Sequence, residues 1–194
     1  MVISRSSLLT LEAYAKQRID LRAKVIAHKK NRTIHLGGDV TLIFEDEQTV
    51  RYQIQEMLRI EKTFEEQGIQ DELDAYNPLV PDGANLKATM MIEYEDPVER
   101  ARRLAEMRGI ERRVLIQVGS EAPVYGIADE DLERDNDEKT SSVHFLRFEF
   151  TPPMIAGIRG SESVAIAIDH PAYAVRIDEI APQVQAALAQ DFAE

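Results

Sequence analysis

Four histidines, at positions 28, 35, 144 and 170, are the side chains best suited to move protons or bind a transition metal near neutral pH. The residues three before them are Val25, Arg32, Ser141 and Ala167, so the Glu-x-x-His pair of di-iron helix bundles is missing. The sequence contains no His-Glu-x-x-His, Gly-x-Gly-x-x-Gly or Gly-x4-Gly-Lys-Ser/Thr motif, and no Gly-x-Ser-x-Gly elbow. His28 follows Leu21 and Val25 at helical spacing, and His144 alternates with Leu146 and Phe148 on a strand face. A histidine on an apolar face has two readings. Each is a hydrogen-bonded core group, or the two converge as metal ligands or a proton-transfer pair. His35 should point away from the face of Ile34 and Leu36. His170 precedes Pro171 in a turn and is expected to shape it.

Three further sets carry polar chemistry. Arg51, Tyr52, Gln55 and Glu56, with a proline-rich loop running from Asn77 to Asn85 and then Lys87, could line a pocket for a small molecule. A solvated helix face is the other reading. Glu61 extends the apolar stripe of Ile54, Met57 and Leu58, and needs a partner if buried; otherwise it sits at the stripe's edge. His28, Lys29, Lys30 and Arg32 form a basic segment. It either complements a helix C-terminal dipole or presents exposed charges to an acidic partner. The acidic run Asp129–Glu138 lacks the glycine a calcium-binding loop needs at its sixth position, and is expected to be solvated.

The elements that must hold these groups follow from periodicity. Thr10 can cap a helix to about Arg18, and Asp20 can open another to about Lys30, closed by Asn31. Thr33–Leu36 and Val40–Glu45 read as a hairpin across Gly37-Gly38-Asp39. A long helix is expected over Glu47–Gln67, with Val50, Ile54, Met57, Leu58 and Phe64 as its stripe and Gly68 as its stop. A short helical piece then runs over Ile69–Tyr76. Leu86–Tyr94 alternates as a strand, and Asp96-Pro97 opens a helix ending near Gly109. Arg113–Val118 and Val124–Ala128 read as a strand pair, and Ser142–Phe150 as another strand. Thr151-Pro152 begins a short helix. Val164–Asp169 and Tyr173–Asp178 form a hairpin, and Ala181–Phe192 is a final amphipathic helix. About eight strands, mostly joined by turns, with five or six helices packed around them predict a single α+β domain over residues 1–194. Its sheet should be mainly antiparallel.

Composition narrows the classes. The chain has 194 residues and a formal charge of −12, yet residues 1–32 carry eight basic and two acidic side chains. An acidic body is a poor footprint for nucleic acid, whose binding depends on neutralising phosphates. No apolar run reaches the ~18 residues of a membrane span. The opening MVISRSSLLTLEAYAK lacks the apolar core, about 7–15 residues long, of a secretory signal, so a cytoplasmic protein is expected. With no cysteine, the chain cannot itself hold a disulfide or a cysteine-ligated zinc or iron–sulfur site.

The stretches Ile26–Gly37 (IAHKKNRTIHLG), Val50–Tyr94, Ile127–Phe150 and Asp169–Tyr173 (DHPAY) occur in this order. Together they resemble the bacterial domain-of-unknown-function family 3501. The resemblance carries over no catalytic residue. It implies genes grouped with those for rubrerythrin and for a cysteine-rich iron–sulfur oxidoreductase. From this comes the first functional expectation: a redox-inactive accessory or assembly protein of an oxidative-stress electron-transfer system, colourless and without cofactor. Its partner would be rubrerythrin or the oxidoreductase, with homo-oligomers also open. The alternatives are a small-molecule-binding protein or enzyme with a polar pocket, and a histidine-plus-carboxylate metal protein.

Overall fold

The structure, a computed structural model, describes residues 2–130 and 138–193. Its first α-helix, α1 (Leu11–Lys30), has 20 residues. Thr10 caps it by accepting the Ala13 N–H, and Asn31 ends it. The expected break before Asp20 is absent. No proline or glycine interrupts this stretch, and Asp20 is exposed, where it costs a helix little.

The hairpin follows as expected, β1 (Thr33–Leu36) and β2 (Val40–Glu45), and leads into α2 (Glu47–Glu61). This helix is shorter than its periodicity suggests. Lys62 turns into the left-handed region (φ 56°) and closes it, so α3 starts anew at Glu66 and runs to Tyr76. Val50, Ile54 and Leu58 are buried as expected, but Phe64, beyond the break, is 72% exposed. Glu61 is exposed at the stripe's edge.

After a short 3-10 turn at Asn77–Leu79 come β3 (Asn85–Ile92) and α4 (Pro97–Glu106), the latter capped by Asp96. Then follow β4 (Val114–Val118), β5 (Val124–Tyr125), β6 (Ile127–Ala128) and β7 (Val143–Glu149). The described chain closes with α5 (Pro152–Arg159), the hairpin β8 (Val164–His170) and β9 (Tyr173–Ile177), and α6 (Pro182–Leu188). The architecture is α+β, with six α-helices and nine strands among the described residues. Every strand pairing is antiparallel. The strands form two sheets, ordered β1-β2-β3-β7-β6 and β5-β4-β8-β9. The antiparallel pairing is as expected, and the strands divide between the two sheets at Gly126. There β5 ends its pairing with β4 and β6 joins β7. A Cβ on Gly126 would come within 3.1 Å of the Phe148 ring, so any larger residue at the crossover would press on that ring.

The two sheets share one core. Leu42, Phe44, Met90 and Phe148 of the first meet Val114, Ile116, Ile166 and Ile168 of the second, with α4, α5 and α6 closing the cluster. The sheets are also tied at the rim, where the Tyr173 hydroxyl donates to the Leu36 carbonyl (2.7 Å) and accepts the Asp39 N–H (3.2 Å). A second, smaller core joins α2, α3 and the N-terminal segment through Ile3, Leu8, Ile54, Leu58, Ile69 and Leu73. The groups relevant to function lie where that helical layer meets the first sheet and the C-terminal residues.

Candidate functional site

Asp46 ends β2 and begins α2, and its role starts as a cap. Its carboxylate accepts the Thr49 N–H (2.9 Å) while Thr49 Oγ1 accepts the Asp46 N–H (2.9 Å). The other carboxylate oxygen is met by His28 Nε2 at 2.5 Å and by Arg32 Nη1 at 3.4 Å. Burial pushes the Asp46 carboxyl up. Arg32, the Thr49 N–H and His28 together outweigh that and hold it below the usual carboxylate range.

Arg32, in the turn between α1 and β1, is 1% exposed. Its guanidinium donates to the carbonyls of Phe44 (2.9 Å), Ala187 (3.2 Å) and Glu45 (3.3 Å) and pairs with Asp191. This corrects its expected place as an exposed docking charge: a buried guanidinium needs a full set of acceptors, and Arg32 has them. Asp191 meets the same cation but gains no comparable set of donors. Burial drives its carboxyl up to about 6 despite the pull of Arg32. One guanidinium thus sits between a carboxylate that holds its charge firmly and one that gives it up more readily.

An ionised Asp46 can only accept, so His28 Nε2 must donate to it, and in the neutral imidazole the lone pair is then on Nδ1. Nδ1 has no hydrogen-bond partner among the described residues, and His28 lines a cleft of about 870 Å³. The cleft runs between α1 and α2, and is bounded by residues 80–83 and 190–193. Gln17, Leu21, Lys24 and Val25 line it from α1, and Gln48, Arg51, Tyr52 and Gln55 from α2. The helical face that the spacing assigned to Leu21, Val25 and His28 is therefore the cleft wall.

Arg51 and Tyr52 stand on this wall. Arg51 pairs with Glu47, yet its Nε is buried with no partner. Gln55 lines the cleft too, but its amide is spent on the chain: Oε1 accepts the Leu9 N–H (2.7 Å) and Nε2 donates to the Leu9 carbonyl (3.4 Å). Glu56 is a clip between α1 and α2. It accepts two bonds from Arg18 (2.7 and 2.8 Å) and one from the Tyr14 hydroxyl (2.6 Å). The Arg18 bonds, aided by Tyr14 and Arg59 against desolvation, bring its carboxyl down to about 2, which leaves it a poor base.

The remaining expected site residues lie elsewhere. Asn77 pins the N-terminal segment, accepting the Ile3 N–H (2.8 Å) and donating to its carbonyl (3.0 Å). Asn85 is buried, accepts the Asp82 N–H (3.2 Å) and donates to Glu149 (3.0 Å). Lys87 faces a different cavity. Lys29 and Lys30 occupy the last turn of α1, where their charge complements the helix dipole. His144 is fully buried and saturated: Nδ1 meets Asp129 at 2.6 Å, and Nε2 meets Thr140 at 2.8 Å and the Ser141 carbonyl at 3.1 Å. It does not join His28. His170 shapes its turn as expected, accepting the Ala172 N–H (3.1 Å) and bonding to the Arg108 carbonyl (3.0 Å). No group of three or more ligating side chains among the described residues could hold a metal ion. Most of the acidic run Asp129–Glu138 lies outside the described residues.

Sequence reasoning missed Asp46 and Asp191. Asp46 had a signal, the Asp-x-x-Thr spacing of a helix cap. Asp191 had none, because its partner Arg32 is 159 residues away.

Fold and cleft define an α+β protein of two antiparallel sheets with a polar groove between its first two helices and its C-terminal residues. The chain belongs to the family described as "Protein of unknown function (DUF3501)", whose model matches residues 2–192. It is similar to a solved crystal structure, described as a novel protein of unknown function from Burkholderia pseudomallei. The two are 57% identical over 100% of both chains, with a TM-score of 0.95. No curated protein matches it. No helix among the described residues is long and apolar enough to cross a membrane.

Proposed function

We propose that the protein binds a small polar molecule in the cleft between α1 and α2, with His28 as its proton-transfer group. The supporting observation is the asymmetry of the imidazole. One nitrogen is oriented by an ionised aspartate that is itself fixed by a helix cap and a buried arginine. The other has no partner among the described residues and lies on the cleft wall, free to take or give a proton. Arg51, with an unpartnered Nε, and the Tyr52 hydroxyl would orient the ligand. A thermal-shift screen with a panel of carboxylated and phosphorylated metabolites and nucleosides tests this. At least one compound should raise the Tm of the wild-type protein and not that of His28→Gln or Tyr52→Ala. A panel with no such compound, or hits equally effective on both variants, overturns it.

The accessory reading draws its support from the gene association that the resemblance implies and from the cysteine-free chain. It would place rubrerythrin or an iron–sulfur oxidoreductase against Lys29 and Lys30, and no longer against Arg32. Co-purification from the native host separates the two: a stoichiometric redox partner favours the accessory role, and its absence favours the ligand-binding one.

A further inference from the structure

On the far side of the proline loop lies a second cavity, of about 390 Å³, that shares no lining residue with the first. It lies between α3, the 3-10 turn and the outward faces of β3 and β7. Two polar groups in its wall stand without partners among the described residues, one partly buried and one with a buried oxygen. Lys87, partly buried on β3, makes no hydrogen bond or ion pair among the described residues. Its neighbour across the strand pair, Arg147, is already committed to Glu130 (2.7 and 2.8 Å) and Glu149. Glu72 of α3 has a buried Oε2 with no partner. Unpartnered buried polar atoms are rare in native structures, and Glu72 Oε2 is one, in the wall of a cavity that the Lys87 ammonium also lines without pairing to it. Apolar surface from Leu79, Ile127, Phe145 and Leu146 completes the wall.

We propose that this cavity binds a small carboxylic acid bearing an amino or hydroxyl group and an apolar side chain. The ligand's carboxylate would satisfy Lys87, its donor would satisfy Glu72 Oε2, and its side chain would cover the apolar wall. A monocarboxylate without the donor would leave Glu72 as it is in the free protein. Burial, with Arg147 close by, lowers the Lys87 pKa against the opposing pull of Glu130, Asp82 and Glu149, and burial, with Glu61 and Asp71 nearby, raises that of Glu72. Each therefore has much to gain from a complementary charge or hydrogen bond.

The test uses the full chain with three probes: L-leucine, L-2-hydroxy-4-methylpentanoate and 4-methylpentanoate. Calorimetry gives the affinities and amide NMR shifts give the location. The first two should bind saturably, with shifts centred on residues 72–79 and 145–147, and the third about tenfold more weakly, since a charge-assisted hydrogen bond is lost. Lys87→Met should weaken all three by about tenfold or more. Glu72→Gln should erase most of the preference for leucine over 4-methylpentanoate while barely altering binding of the latter. Neither variant should lower the Tm, because neither side chain makes a bond in the free protein. The proposal is overturned if neither leucine nor its hydroxy analogue binds saturably below about 20 mM, near the weak end of useful affinities. It is equally overturned if Lys87→Met binds like the wild type, or if the shifts map to the α1–α2 cleft.

Discussion

His28 and His144 present the same pair in two surroundings. Each imidazole meets an aspartate, at 2.5 Å and 2.6 Å respectively. His144 spends its second nitrogen on Thr140 and the Ser141 carbonyl, and has no exposed side chain surface. The side chain of His28 remains 29% exposed, and its second nitrogen opens on the cleft. An Asp–His pair is thus not in itself a catalytic feature. The second nitrogen separates the two: that of His144 is engaged, which makes the histidine a strut, and that of His28 is unengaged, which is what the proposed site rests on. The two aspartates differ in the same sense. Asp129 also accepts the Phe145 N–H (3.1 Å) and serves the sheet edge, whereas Asp46 orients His28 from a helix cap.

The largest effect should come from the group that holds the His28 side together. Arg32→Ala removes the shared cation and leaves Asp46 and Asp191 buried without it. Breaking a buried pair in this way costs about 3–5 kcal/mol. Urea denaturation should show that loss, and a variant within about 1 kcal/mol of wild type would mean that the cluster is solvated and weak.

The two histidines themselves should separate next. His144→Ala strips Asp129 and Thr140 of a buried partner and should cost about 2–3 kcal/mol. His28→Ala removes a half-exposed ring with one bond and should cost about 1 kcal/mol or less, while abolishing ligand effects in the cleft. Equal destabilisation by the two would erase the distinction between a structural histidine and a site histidine.

Much of this arrangement was legible in the sequence, and what was not has physical reasons. The β1–β2 hairpin was readable to the residue because alternation and a Gly-Gly-Asp turn agree. Phe64 was misplaced because α2 stops at Lys62, in a left-handed conformation that lysine does not advertise. The division into two sheets was hidden in β5 and β6, two residues each, too short for any period to appear. Of the site, local spacing revealed His28 and its cleft-facing neighbours Arg51 and Tyr52. The burial of Arg32 was invisible, since it depends on carbonyls of β2 and on a carboxylate near the C-terminus. Lys87 was grouped with Arg51 by the loop between them, and that loop in fact separates two cavities.

Acid titration should expose the two carboxylates that flank Arg32. Asp191 binds its proton more tightly folded, near 6, than unfolded, near 3.8. Its contribution therefore favours the fold below the unfolded value and is lost as pH rises towards about 6. Asp46 and Glu56 have the opposite sign. Their contributions are present above the ordinary carboxylate range and vanish as pH falls, for Glu56 from about 4.5 to about 2. Asp191→Asn should accordingly flatten the decline in urea midpoint between about pH 4 and 6 and leave the acid limb in place. An unchanged profile would show that Arg32 neutralises Asp191 fully.

The smallest effect belongs to the basic segment. Lys29 and Lys30 stand in the last turn of α1, where a positive charge interacts with the helix C-terminus for about 0.3–1 kcal/mol at low salt. Either single substitution, Lys29→Gln or Lys30→Gln, should cost no more than that and leave Arg32 and His28 undisturbed, so ligand effects in the cleft should persist. Any role in meeting an acidic protein would appear differently, as slower association at low salt that recovers near 0.5 M, where the screening length falls to roughly 4 Å. A fold intact with association unchanged leaves these lysines to the helix dipole alone. Slowed association with the cleft intact places a protein partner beside the ligand site, on the same helix end but not on the same residues.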